Sequence, residues 1–246
     1  MKRLIVAAAV AALAAGYAAA EEPKHHFQYG GKYGPAHWAD LEKDFAACKI
    51  GKEQSPIDIR GAVKAPLPPI GFHYASGPAE VVNNGHSIQV NLSSGGTADL
   101  ASGTYKLVQF HFHAPSEEKV DGHAYALVAH LVHQNDAGQL AVVAVLFKEG
   151  KANPALAKVF AAMPAEEGGK APLEGGANAA DLLPANQAYY SYMGSLTTPP
   201  CSEGVRWQVL KQPLELSREQ LAAFRKLYPM NARPTQKLNG RKVEEN

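Results

Sequence analysis

The sequence predicts a single sheet-dominated domain with a few short helices at its periphery. Three features predict it. Short apolar or alternating runs are separated by Gly, Pro, Asn or Asp; only two segments combine helical spacing with a cap; and no repeat or linker divides the chain. The strand-like runs are 87–92, 105–113, 124–133, 140–147 and 205–210. Residues 135–138, Asn-Asp-Ala-Gly, stand between two of them and read as a hairpin turn.

The first helix is expected after Asn153, a capping residue followed by Pro154 at the first helical position. Leu156, Val159, Phe160 and Met163 form its apolar face. The second follows Ser217, which with Gln220 makes a capping-box pattern, and Leu221, Phe224, Leu227 and Tyr228 supply the buried stripe. Residues 164–186, rich in Gly, Pro and Ala, read as a long surface loop.

The N-terminus reads differently. Lys2 and Arg3 precede an apolar stretch at 4–15, and Ala18, Ala19 and Ala20 satisfy the small-residue cleavage rule. Residues 1–20 are thus expected to be a secretory signal peptide and 21–246 the domain. No later stretch approaches the roughly 20 apolar residues of a spanning helix. Charge is balanced, with 24 Lys and Arg against 23 Asp and Glu, which speaks against nucleic acid or an anionic membrane as partner. In an oxidising compartment the only two cysteines, Cys48 and Cys201, most simply form one disulfide. Two buried thiols are the alternative.

The chemistry is concentrated in QFHFHAPSEE (109–118). Strand side chains alternate faces, so His111 and His113 share one face while Phe112 takes the other. Two such imidazoles can chelate a divalent ion, and a catalytic zinc usually takes three protein ligands. The run YALVAHLVH offers His130 or His133 as the third; their odd separation puts them on opposite faces, and periodicity does not choose between them. A lone His-x-His can equally be a pair of core histidines. His-x-His followed by Glu117 is also the ligand order of a cupin, a small barrel holding iron or manganese. His25 and His26 read as part of a solvated tail.

Further motifs are GPAHW (34–38), EQSPIDI (53–59), NNGH (83–86), GSLTTPPCSE (194–203) and LNGR (238–241). With QFHFH and HLVH, their order and spacing resemble the α-class carbonic anhydrases from about Tyr29 to Arg241. The resemblance implies a large, mostly antiparallel central sheet and one zinc ion held by His111, His113 and His130, leaving His133 structural. It implies a zinc-bound hydroxide that attacks CO₂ to give bicarbonate. Thr197 would accept the hydroxide's hydrogen bond and donate to Glu117, and Thr198 would help hold bicarbonate. Val132, Val142, Leu196, Val205 and Trp207 match the apolar wall for CO₂, and Gln109 matches the acceptor behind the first ligand. His86 matches the proton shuttle, with Tyr29, Asn84 and Gln89 lining the water path. Cys48 and Cys201 match the disulfide of secreted members. Sulfonamide inhibition, a periplasmic location and a homodimer as candidate assembly belong to the same set of expectations.

Two positions depart from the family pattern. Relatives usually carry Glu two residues before the third ligand, where this chain has Val128, and His after the residue matched by Glu117, where it has Glu118. Because these positions are neighbours in the family, Glu118 is expected to reach His130 in place of residue 128. If it does not, His130 is left to water or a backbone carbonyl. A metal-poor member that only binds partners is then the alternative to the enzyme.

Overall fold

A 13-stranded sheet runs through the computed structural model, which describes residues 26–246. The signal peptide expected at 1–20 lies outside the described residues. The middle of the sheet comprises β1 (Ala79–Asn83), β2 (Ile88–Leu92), β3 (Gly103–His113), β4 (Leu127–Gln134), β5 (Leu140–Glu149), β6 (Tyr189–Ser195) and β7 (Glu203–Leu210). Their spatial order is β1-β2-β3-β4-β5-β7-β6, extended by short strands on both sides. Neighbours are antiparallel except β5 and β7. That parallel pair requires a crossover, and the chain from 150 to 202 supplies it, carrying a helix and β6. The open sheet is not the small barrel of a cupin. No helix of the described residues is long and apolar enough to cross a membrane.

The central strands are apolar on both faces because both faces are covered. One face packs Phe110, Phe112, Leu127, Ala129, Leu131, Val143, Val145 and Phe147 beneath the two helices. The other buries Val128, Val142, Ala144, Leu146, Val205, Trp207 and Val209. Helix α1 (Pro154–Ala161) starts where Asn153 accepts a hydrogen bond from the Leu156 N–H at 3.1 Å. Helix α2 (Arg218–Leu227) has the expected capping box of Ser217 and Gln220. Both press phenylalanines on Phe112, with ring centroids 5.4 Å away for Phe160 and 6.2 Å for Phe224. The residue between the first two histidines is thereby anchored from behind.

Two expectations need correction. The run 124–133 becomes a strand of the large sheet only from Leu127; His123–Ala124 pairs instead in a separate three-stranded sheet. The segment 164–186 is not a plain surface loop. Lys170–Pro172 pairs with β1, and Leu173, Ala179 and Leu182 are buried. These scattered apolar anchors hold a stretch whose Gly and Pro content hides them from periodicity.

The N-terminal turns form a small core of their own around Trp38, which is fully buried and donates from Nε1 to the Gln28 and Tyr33 carbonyls at 2.8 and 3.1 Å. Cys48 and Cys201 are joined by a disulfide in this cluster, across 153 residues of chain. Closing so long a loop restricts the unfolded chain. Replacing both cysteines by alanine is expected to lower stability by about 2–5 kcal/mol, read from urea unfolding of the two proteins. An unchanged midpoint and slope would show that the bridge contributes nothing.

Candidate metal centre

The site lies on the second face of the sheet, at the junction of β3 and β4. His111 and His113 emerge from the same side of β3, and His130 stands directly opposite His111 on β4. A register shift follows between Val132 and His133, where Val132 faces Gln109 and His133 faces Leu107. The unpaired Val108 is the bulged residue, 47% exposed. The bulge lets Leu107 join the core behind while Gln109 stays beside the histidines.

Each imidazole is held through its outer nitrogen. His111 Nδ1 is 2.9 Å from Gln109 Oε1, and His113 Nδ1 is 2.7 Å from the Asn231 carbonyl oxygen. His130 Nε2 lies 3.1 and 3.2 Å from the two oxygens of Glu118. Acceptors in these places fix the N–H outward and leave a lone pair on the other nitrogen, pointing inward. One nitrogen of each ring then falls within 4.8 Å of the other two. A small inward movement would bring all three to the roughly 2.0–2.1 Å of a zinc–nitrogen bond. His113 Nε2 and Glu117 Oε2 are buried with no hydrogen-bond partner. Orphaned polar atoms of this kind mark a place for an ion.

Electrostatics support the same reading. Burial holds His111 down to about 3 and His113 well below its ordinary range, so both are neutral and available as donors to a metal. Burial also disfavours charge on His130, but the adjoining Glu118 and Glu117 outweigh it and raise that imidazole. Burial pushes Glu117 up to about 7 in the metal-free protein. Its Oε1 accepts the Arg233 backbone N–H at 2.7 Å. Its Oε2 is 3.5 Å from His113 Nε2, and the Thr197 hydroxyl favours its ionised form.

The remaining expected residues surround this centre unevenly. Trp207 meets His130 edge to face at 4.9 Å and donates from Nε1 to the Ser195 carbonyl. Val142 and Val205 are buried with it, and Val132 and Leu196 pack against them, half-buried. Thr197 is buried, while the half-buried Thr198 accepts the Cys201 N–H through its carbonyl at 2.9 Å. His86 occupies the hairpin turn between β1 and β2, half-buried at the rim. Burial lowers its pKa, and nearby His26 lowers it further. Asn84 Oδ1 caps the His86 and Ser87 N–H groups at 3.0 and 2.8 Å, and Asn84 Nδ2 donates to Gln89 Oε1 at 3.2 Å. The Tyr29 hydroxyl is buried without a partner. His26 is exposed, as expected of a tail, yet its ring stacks 5.6 Å from that of His86.

Four residues here were invisible to sequence patterns. Phe27 stacks flat on the His86 ring, with centroids 3.7 Å apart. Ser87, Asn231 and Arg233 are buried, and Arg233 donates to the Ser55 and Cys48 carbonyls at 2.7 and 3.0 Å. Asn231 and Arg233 follow the last helix in a proline-bounded loop, where nothing about spacing distinguishes a buried polar hub from a solvated residue. The only signal is the order Asn-Ala-Arg-Pro itself.

Residues 33–246 match the family model of the eukaryotic-type carbonic anhydrases. The chain is 48% identical to a carbonic anhydrase of Klebsiella pneumoniae over 89% of its length and 91% of the relative's. It is 46% identical to one from Pectobacterium carotovorum, covering 88% and 89%. Among solved structures, the α-carbonic anhydrase of Thermovibrio ammonificans in complex with the inhibitor sulfanilamide superimposes with a TM-score of 0.87. That pair shares 51% identity over 89% of this chain and 98% of the other.

His133, on the opposite face, is fully buried and pairs with the Tyr74 hydroxyl at 2.7 Å. Burial holds its imidazole down to about 4 from an ordinary 6.5. Below pH 6.5 the unfolded chain binds a proton that the folded protein refuses until about pH 4. Its contribution to stability is therefore complete above pH 6.5 and is lost as pH falls towards 4. Urea unfolding of the protein and of His133→Gln at pH 7 and pH 4.5 should show the wild type losing more stability on acidification. Parallel losses would mean that this imidazole is not the group responsible.

Proposed function

The chain belongs to the α-class carbonic anhydrases, enzymes that interconvert CO₂ and bicarbonate, and on that premise we propose that it is a zinc enzyme whose ion is held by His111, His113 and His130. The observation that carries this reading is the convergence of three inward lone pairs, each fixed by an outer acceptor. Zinc bound there supplies a Lewis acid that makes water nucleophilic near neutral pH, the role for which carbonic anhydrase is the type case.

The protein's own residues do the rest. Thr197, whose hydroxyl favours the ionised Glu117, would donate a hydrogen bond to that carboxylate and so present only an acceptor towards the cleft. It thereby selects and orients a nucleophile that still carries an O–H. The Arg233 N–H on Glu117 keeps that carboxylate turned to its task. CO₂ has no net dipole, so it is best received by apolar surface; Val132, Val142, Leu196, Val205 and Trp207 supply that surface beside the histidines. Thr198 holds bicarbonate on the polar side. The proton released leaves through waters lined by Tyr29, Asn84 and Gln89 to His86, an imidazole half-buried at the rim whose ring can take up a proton and release it to buffer. Sulfonamides are expected to bind at the metal; the Thermovibrio ammonificans relative forms a complex with the inhibitor sulfanilamide.

Glu118 takes the place that Val128 leaves empty. Val128 is buried in apolar surroundings two residues before His130, and the carboxylate arrives from the bend after β3 instead. This contact favours the enzyme over a metal-poor binding protein. The leader-like start and the disulfide support export of the domain 21–246, with the periplasm as the proposed location.

Stopped-flow CO₂ hydration before and after metal removal tests the main reading. Hydration should vanish with the metal and return with one zinc per chain; protein with stoichiometric zinc and no hydration would refute it. Glu118→Ala should weaken zinc binding about 10–100-fold in competition with a chelator, and adding Val128→Glu should recover part of the loss. Unchanged affinity would remove Glu118 from the metal's support.

A further inference from the structure

Asn231 is fully buried and makes contact with both ends of the proposed proton path. Its backbone carbonyl receives His113 Nδ1 at 2.7 Å. Its side chain does something separate. Oδ1 accepts the Ala114 N–H at 2.9 Å, and Nδ2 donates to the carbonyls of Phe112 at 2.9 Å and His86 at 3.0 Å. The orientation of the amide follows from its surroundings: flipped, its oxygen would face two carbonyls and its NH₂ an N–H. Ser87 adds a second tie. Its hydroxyl donates to the Phe112 carbonyl at 2.5 Å and accepts the Phe112 N–H at 3.1 Å.

The turn that carries His86 is shaped by the bonds of Asn84 to the next residues. It is flanked by Phe27 on the His86 ring and by Asn83, which is tied to the Pro164 carbonyl, the Gly169 carbonyl and the Tyr228 hydroxyl. None of these contacts reaches the strand that carries the histidines. The side-chain ties that join the turn to that strand run to the peptides around Phe112, the residue between His111 and His113. We propose that the Asn231 side chain, with Ser87, is a positioning device that sets the distance between the metal-ligand strand and the shuttle His86. The inference rests on the reading of His86 as the shuttle. Proton export through a short chain of water tolerates little change in span, since misplacement of reacting groups by about 1 Å can cost up to 100-fold.

The kinetics separate this role from a merely structural one. CO₂ and bicarbonate interconvert before the proton leaves, so kcat/KM reports interconversion, and kcat in weak buffer reports proton export. Asn231→Ala retains the backbone carbonyl that His113 needs. In zinc-loaded Asn231→Ala, kcat in weak buffer should fall about 5–10-fold and kcat/KM no more than about 2-fold, with added imidazole restoring kcat. In the zinc-free variant, the NMR signals of the His86 ring should broaden or split relative to the single set of the wild type.

His86→Ala is measured alongside. If His86→Ala keeps full kcat in weak buffer, the shuttle reading itself fails. If His86→Ala loses a kcat that imidazole restores, and Asn231→Ala either keeps its kcat or loses kcat and kcat/KM together without rescue, the positioning role is overturned. Should Asn231→Ala not fold, Ser87→Ala cuts the second tie and is expected to give the same kinetic signature; its absence there overturns the proposal equally.

Discussion

Three imidazoles are aimed at one point inside the protein, and most of the structure around the site serves to hold them there. An isolated buried histidine can rotate, exchange tautomers or take up a proton. Here each ring has one nitrogen committed to an acceptor behind it: an amide oxygen, a backbone carbonyl and a carboxylate. Burial then keeps His111 and His113 uncharged. Charge and tautomer are thus decided by groups that never touch the cleft.

Those outer groups have to be held in turn, and the architecture does so from long range. The strands carrying the histidines are buried on both faces, so the ring between the first two, Phe112, is clamped by Phe160 and Phe224. A single bulge at Val108 lets one strand serve the core and the site at once. The segment after the last helix brings Asn231 to His113 and Arg233 to Glu117. Arg233 reaches on to the Cys48 carbonyl, and Cys48 is bonded to Cys201, four residues beyond Thr197. The threonine loop and the buried acid are therefore tied to one N-terminal cluster.

The Val128 and Glu118 pair shows how the same electrostatic need can be met from a different backbone position. An acceptor is needed beside His130 Nε2, and the need concerns a point in space rather than a residue number. Two positions border that point, one on β4 and one in the bend that follows β3. With Val128 filling one with hydrocarbon, the carboxylate enters from the other and is fully buried, partnered by the imidazole. Two adjacent buried acids, Glu117 and Glu118, flanking one histidine raise that histidine and each have a donor facing them.

The sequence by itself determined the strands and helices with strong local signatures: the Asn153 and Ser217 caps, the alternating run ending in His111 and His113, and the pairing of the only two cysteines. The order of motifs was enough to place the chain in its family. Alternation along one strand could not choose between His130 and His133, because that choice depends on the register of β4 on β3, which sets His130 opposite His111 on the same side of the sheet. Nor could it find Ser87, Asn231 or Arg233. Their importance lies in hydrogen bonds that span 25 to 185 residues of chain, and no local periodicity encodes which distant backbone carbonyl a buried polar side chain will meet. The buried lining of the 164–186 segment was hidden for a related reason: its anchors are single residues, recognisable only once the core they fill exists.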